Sequence, residues 1–176
     1  MSPSERQRRP ESAGGMVRIL FVCMGNICRS PIAEAVARTM AQRQGLSSRL
    51  AFDSAGTHGH HHAGEAPDPR ARRVAARRGY DLSRLRARVV SDTDFERFDR
   101  ILAMDESNLA DLRRRSAEER RPKLALFLPY AAGLGLTDIP DPYYGAESGF
   151  DRVVDLCELA AEGLIAELAR GGVGRF

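Results

Sequence analysis

From Val17 onward, short apolar runs of strand length alternate with segments of helix length, and this alternation constrains the fold more than any other feature of the chain. Val17–Val22 (VRILFV) reads as a strand. Ser30-Pro31 then opens a helix, with Ser as the N-cap and Pro at the first helical position. That helix runs to about Arg43 and stops before Gly45. Leu50–Ser54 reads as a second strand, and Asp68-Pro69 starts a helix that ends at about Arg78, before Gly79. Arg100–Met104 is a third strand, Glu106–Arg115 a helix and Leu124–Leu128 a fourth strand. In the last segment Phe150, Val153, Val154, Cys157, Ala161, Leu164 and Leu168 share one helical face, which Gly171-Gly172 end. Strands separated by helices run parallel and are covered on both faces. The expectation is an α/β fold: one domain over residues 16–176, with a four-stranded parallel sheet and helices on both sides.

The 176 residues, 43% of them hydrophobic, suffice for one core and exclude wholesale disorder. Residues 1–15 are polar and aperiodic, so they are expected as a disordered tail, with Met16 as an alternative start. Their basic residues precede no apolar stretch, so no secretory signal is expected. No run of 18 apolar residues marks a membrane span. A net charge of +3 is too small to mark a nucleic-acid binder. Three cysteines, at 23, 28 and 157, are too few to frame a secreted disulfide module, so a cytoplasmic location is expected.

In parallel sheets ligands sit beyond the carboxyl ends of the strands, where the strand order reverses. The turn after the first strand reads Cys23-Met24-Gly25-Asn26-Ile27-Cys28-Arg29-Ser30-Pro31. It joins a buried strand to a helix N-terminus, where unsatisfied N–H groups and the helix dipole attract anions. Gly25 and Asn26 tolerate the left-handed backbone that a tight cradle needs. Arg29 can fork two hydrogen bonds onto a phosphate. The same amides, Arg29 and the Ser30 hydroxyl favour the thiolate of Cys23, and a thiolate facing a bound phosphate is a nucleophile aimed at phosphorus. Alone, Cys23 would read as an inert core thiol; the surrounding turn argues otherwise. No metal or other cofactor is expected, because cradle and arginine balance the phosphate charge.

The segment VCMGNICRSPIAEA resembles the active-site signature of the low-molecular-weight protein tyrosine phosphatases. The resemblance continues through Asp53-Ser54-Ala55-Gly56-Thr57, Pro67-Asp68-Pro69-Arg70-Ala71, Met104-Asp105-Glu106-Ser107-Asn108-Leu109 and Asp138-Ile139-Pro140-Asp141-Pro142-Tyr143-Tyr144-Gly145. It implies hydrolysis of phosphotyrosine in proteins through a phosphocysteine, releasing inorganic phosphate. By that resemblance Cys23 is the nucleophile and Arg29 binds phosphate and stabilises the transition state. Asn26 and Ser54 hold the loop, and Ser30 assists the thiolate as leaving group. Met24, Gly25, Ile27 and Cys28 complete the phosphate-binding loop. The resemblance also implies that Cys23 and Cys28 can join reversibly, although Cys28 reads equally as a small buried filler.

Phosphotyrosine leaves as phenolate unless an acid supplies a proton, and such assistance contributes roughly 10²–10⁴-fold. Asp141 matches the family's general acid, with Asp138 as a nearby competitor; Asp-Pro is also ordinary turn chemistry. Tyr143 and Tyr144 read either as core aromatics or, beside the acid, as walls of a slot for a phenyl ring. Ile27 faces the same slot; the related protein-arginine phosphatases place Thr there. The segment His58-Gly59-His60-His61-His62 departs from the family pattern, which brings an aromatic to the cleft rim. One histidine takes that place, but the sequence does not say which. A solvated loop is the preferred reading over a metal site. Cys157 reads as core, and the arginines of Arg70–Arg78 as a solvated face. Two alternatives stand beside the phosphatase: an arsenate reductase on the same scaffold, which needs relay cysteines that residues 82–105 lack, and a non-catalytic phosphate-binding module.

Overall fold

The computed structural model describes residues 15–171, so the reading of a disordered tail falls outside the described residues except at Gly15. Four strands, β1 (Val17–Cys23), β2 (Leu50–Gly56), β3 (Arg100–Ala103) and β4 (Leu124–Leu126), form one sheet in the order β2-β1-β3-β4. All three pairings are parallel. Five α-helices accompany them among the described residues: α1 (Arg29–Arg43), α2 (Pro69–Arg77), α3 (Asp94–Arg97), α4 (Glu106–Arg115) and α5 (Ser148–Arg170). The expected α/β architecture is the one observed.

Side-chain alternation along β1 divides the core. Ile19, Phe21 and Cys23 face the layer of α1 and α5, where Phe21 meets Phe52 at 6.0 Å and Phe127 at 4.8 Å between ring centroids. Leu20 and Val22 face the opposite layer, with Phe95, Phe98, Leu109 and Leu112. Burial on both faces explains why β1 is apolar at nearly every position. The chain leaves β1 through α1 to β2 on one side, and β3 returns on the other. The carboxyl end of β1 is therefore the point where strand order reverses.

Several boundaries differ from the sequence reading. β4 ends at Leu126 because the chain turns into a 3-10 turn over Leu128–Tyr130, whose Pro129 has no N–H for the ladder. The single turn α3 was not anticipated. It forms around Asp94, which is fully buried, accepts from Ser91 N at 2.8 Å and meets both Arg88 nitrogens at 2.8 and 3.1 Å. Asp68 caps α2 as expected, accepting from Arg70 N at 2.8 Å. Gly163, in the middle of α5, lets the helix touch the Tyr130 carbonyl, whose oxygen a Cβ there would overlap. Gly163→Ala is expected to cost about 1–3 kcal/mol by overpacking, which a thermal melt would register as a drop of several degrees.

Candidate active site

The turn after β1 is shaped by what its carbonyls do. Cys23 O accepts from Thr57 N at 2.9 Å, Met24 O from His58 N at 2.8 Å and Ile27 O from Asp68 N at 2.8 Å. In a planar trans peptide the next N–H points the opposite way. The amides of Met24, Gly25 and Cys28 are thus turned away from those three partners, and these residues line a hollow. The first amides of α1 follow directly and have no partner within their helix. Asn26 alone among the described non-glycine residues has a positive φ, 57°.

Gly25 corrects the sequence reading, because it is not among the residues with positive φ. What it supplies is space: a Cβ there would lie 3.3 Å from His62 Cδ2. Ser30 is a second correction. It lies inside α1, which begins at Arg29 after a Cys28 N-cap that makes no side-chain bond. The Ser30 hydroxyl instead meets Cys23 Sγ at 3.0 Å. Pro31 is tolerated because the third helical N–H would have no intrahelical acceptor in any case.

Asn26 Nδ2 reaches Ser30 Oγ at 2.8 Å and Ser54 Oγ at 3.0 Å, joining the turn to α1 and β2. Arg29 is only 3% exposed. Its Nη1 donates to Asp105 Oδ2 at 2.6 Å and to Ile139 O at 3.1 Å, and its Nη2 lies 3.7 Å from Asp141 Oδ2. Burial opposes its charge, but Cys23, Asp105 and Asp141 outweigh burial and hold its pKa above the usual arginine value. Asp105 also caps α4, accepting from Asn108 N at 2.7 Å with its other oxygen. Sequence reasoning gave Asp105 no role. Its cap position was readable, but its contact with an arginine 76 residues away was not.

The hollow measures about 190 Å³ and is lined by Cys23, Arg29, Asp141 and both Tyr143 and Tyr144, with Ile27 in its wall. Cys23 is 3% exposed and lies at this hollow rather than sealed in the core. Asp141 Oδ1 accepts from Tyr143 N at 3.1 Å, so the residue makes a turn and presents its second oxygen to the hollow. Asp138 does neither; it accepts from Glu106 N at 3.1 Å, at the start of α4. Tyr143 and Tyr144 are exposed, not core, and their rings meet edge to face at 4.9 Å. Arg70 anchors their loop through Tyr143 O at 3.0 Å and Gly145 O at 3.4 Å.

Among the four histidines His62 lines the hollow, with Nδ1 2.9 Å from Glu65 Oε2. Among the described residues, no three His, Cys, Asp or Glu side chains gather as a metal site. The arginines of the segment Arg70–Arg78 are not a free basic face: Arg73, Arg77 and Arg78 pair with acids of α5 or just before it. All three cysteines are free thiols. Burial, with Asp68 and Cys23 adding, keeps the Cys28 thiol far above its ordinary pKa; Cys157 is fully buried in α5. A larger hollow of about 830 Å³ beside β4, lined by Leu109, Leu126 and Tyr130 among others, has no cysteine or histidine in its wall.

A family model described as "Low molecular weight phosphotyrosine protein phosphatase" matches residues 18–173. A low molecular weight protein-tyrosine-phosphatase of Streptomyces coelicolor is 43% identical over 161 residues, covering 90% of this chain and 97% of that protein. The human low molecular weight phosphotyrosine protein phosphatase is 45% identical over 141 residues, covering 79% of this chain and 87% of its own. A crystal structure of a protein tyrosine phosphatase from Entamoeba histolytica, with Hepes in its active site, superposes with a TM-score of 0.85 at 42% identity. That superposition covers 88% of this chain and 98% of the other.

Proposed function

Since the chain belongs to the low molecular weight phosphotyrosine protein phosphatase family and is a protein-tyrosine phosphatase of that class, we propose that Cys23, Arg29 and Asp141 carry its reaction. The observation behind this is the meeting of a nucleophilic sulfur, a buried guanidinium and a carboxyl group on one hollow of about 190 Å³.

The turn amides and Arg29 bind the phosphate of phosphotyrosine as a P-loop. The Cys23 thiolate attacks phosphorus, and the P–O bond to the phenol breaks. Asp141, protonated, gives its proton to the departing phenolate oxygen. The product is a phosphocysteine. Asp141, now a carboxylate, takes a proton from a water whose oxygen attacks phosphorus. The S–P bond breaks, the thiolate returns with help from the Ser30 hydroxyl at 3.0 Å, and inorganic phosphate leaves. Arg29 and the amides stabilise the equatorial oxygens throughout, electrostatic work of the kind that fixed donors do best. No step needs a metal ion or other cofactor, because the guanidinium and amides balance the dianion.

Ile27, Tyr143 and Tyr144 form apolar walls suited to a phenyl ring. A long flat arm suits a sulfur that is 3% exposed behind a rim whose Tyr144 is 95% exposed. The substrates on this reading are phosphotyrosine-bearing proteins, and neither nucleic acid nor membrane is a partner. Among the described residues no helix is long and apolar enough to cross a membrane. A nucleophilic thiol beside Cys28 suits a reducing compartment, and we place the protein in the cytoplasm. The arsenate reductase alternative lacks its relay thiol, since the third cysteine, Cys157, is fully buried.

The test offers the purified protein phosphotyrosine, phosphoserine and phosphoarginine peptides with a chelator present. Phosphate release from phosphotyrosine alone is expected. Strict dependence on a divalent ion, or faster release from either other peptide, would overturn the reading.

A further inference from the structure

Asp141 stands on a segment that the core scarcely holds: from Ala132 to Ala146 only Ile139 and Pro142 are buried. Ile139, just ahead of the acid, is fixed on both sides. Its N–H donates to Met104 O at 2.8 Å, and its carbonyl accepts from Arg29 Nη1 at 3.1 Å. Beyond the acid the hold comes from α2. Arg70 Nη2 donates to Tyr143 O at 3.0 Å, and Nη1 donates to Gly145 O at 3.4 Å. Tyr143 N in turn donates to Asp141 Oδ1 at 3.1 Å, which leaves Oδ2 as the oxygen near Arg29. Tyr143 is therefore gripped by its carbonyl and aims the acid with its amide. Arg70 is braced in its turn. Asp68 accepts from its Nε at 3.1 Å and its Nη2 at 2.9 Å. The guanidinium also lies 4.7 Å from the ring centre of buried Phe150 and 5.7 Å from that of Tyr143. Asp68 N donates to Ile27 O at 2.8 Å, within the turn that carries Cys23. A continuous path thus runs from that turn through Asp68, Arg70 and Tyr143 to the Asp141 carboxyl.

We propose that Arg70 is a positioning residue for the proton transfer: its guanidinium, braced on Asp68, clasps the Tyr143 and Gly145 carbonyls and sets where the Asp141 carboxyl stands relative to the Cys23 turn. The inference rests on Asp141 being the general acid. Capping of α2 does not call for this side chain, because Asp68 caps the helix through the backbone N–H of Arg70, which any residue but proline would supply. Charge alone does not call for it either. The position needs a flat fork that stacks on two rings while reaching one carboxylate and two carbonyls, and a single ammonium cannot do that. The other tie from α2, Glu147 with Arg73 and Arg77 at 3.4 and 3.5 Å, lies past the turn, at the start of α5. Without Arg70 the segment would still be pinned at Ile139, so the acid would stay near the hollow but lose its aim.

The experiment measures kcat/KM on the full chain for a phosphotyrosine peptide and for dinitrophenyl phosphate, whose phenol departs without a proton. It compares the parent, Arg70→Met, Asp141→Ala and the double variant, with a thermal melt of each. Because kcat/KM covers only the steps up to departure of the phenol, the second use of Asp141 does not enter. In Arg70→Met the phosphotyrosine value is expected to fall about tenfold or more, as misplacing a catalytic group does, while the dinitrophenyl value stays near the parent's. On top of Asp141→Ala, Arg70→Met is expected to cost little further, because the two side chains act as one unit. A folded Arg70→Met that loses equally on both substrates, or on neither, would overturn the clasp. So would a loss that adds in full to that of Asp141→Ala. Should Arg70→Met fail to fold, Arg70→Lys decides on the same two substrates: a loss confined to phosphotyrosine supports the clasp, and equal losses or none overturn it. Asp141→Ala separates the two claims. If it spares phosphotyrosine, the assignment of the acid fails; if it is selective and Arg70→Met is not, the clasp alone fails.

Discussion

Cys23→Ser protein is expected to release no measurable phosphate from phosphotyrosine peptides, a loss on the order of 10⁴–10⁶-fold. The size follows from the neighbours of the sulfur. A serine hydroxyl becomes a nucleophile only beside a general base. The partner of Cys23 is the Ser30 hydroxyl, which is no base, and His62 is occupied with Glu65. The other carboxyl at the hollow, Asp141, must carry a proton to serve the departing phenolate and so is not free to act as a base for serine. Because the turn is held by Asn26, Ser54 and the neighbouring carbonyl contacts, the variant should melt as the parent does and still bind phosphopeptide. Turnover by a folded Cys23→Ser within tenfold of the parent would remove the nucleophile from the mechanism.

Asp141→Ala is expected to slow phosphotyrosine hydrolysis by roughly 10²–10⁴-fold. The loss should depend on the leaving group. An aryl phosphate with an acidic phenol departs without a proton and should lose far less in the first step. In the proposed mechanism Asp141 also prepares the water for the second step, so phosphocysteine should accumulate with such a substrate and be seen as an added phosphate on Cys23 after acid quench. Equal, small losses for both substrates would point to a turn residue and nothing more. Asp138 cannot substitute, because its carboxylate is engaged with Glu106 N.

What the sequence made legible was local. Strand, turn and helix around Cys23 followed from an apolar run, a turn-forming Gly-Asn pair and a helix opening. Asp68 stood as a cap because its partner is two residues on. The failures lie where a distant contact outbid the local preference. Ser30 looked like a cap and instead spends its hydroxyl on a sulfur across the turn. Gly25 looked like a left-handed residue and instead makes room for His62, which no spacing rule could place there. The contact of Asp105 with Arg29 depends on α1, an element brought to it only by sheet order. α3 forms around the buried Asp94–Arg88 pair, whose partners lie on a short irregular stretch without periodicity to read.

Arg29 is already in place before any substrate arrives, fastened by Asp105 and the Ile139 carbonyl. So the ordering entropy of that side chain is settled during folding and need not be met at each encounter. The same stiffness makes the cradle indifferent to what its tetrahedral guest is attached to. Free orthophosphate, the enzyme's own product, fits it as well as an ester does, and so do arsenate and vanadate. Competitive inhibition by these ions is built into the stiffness that speeds the reaction.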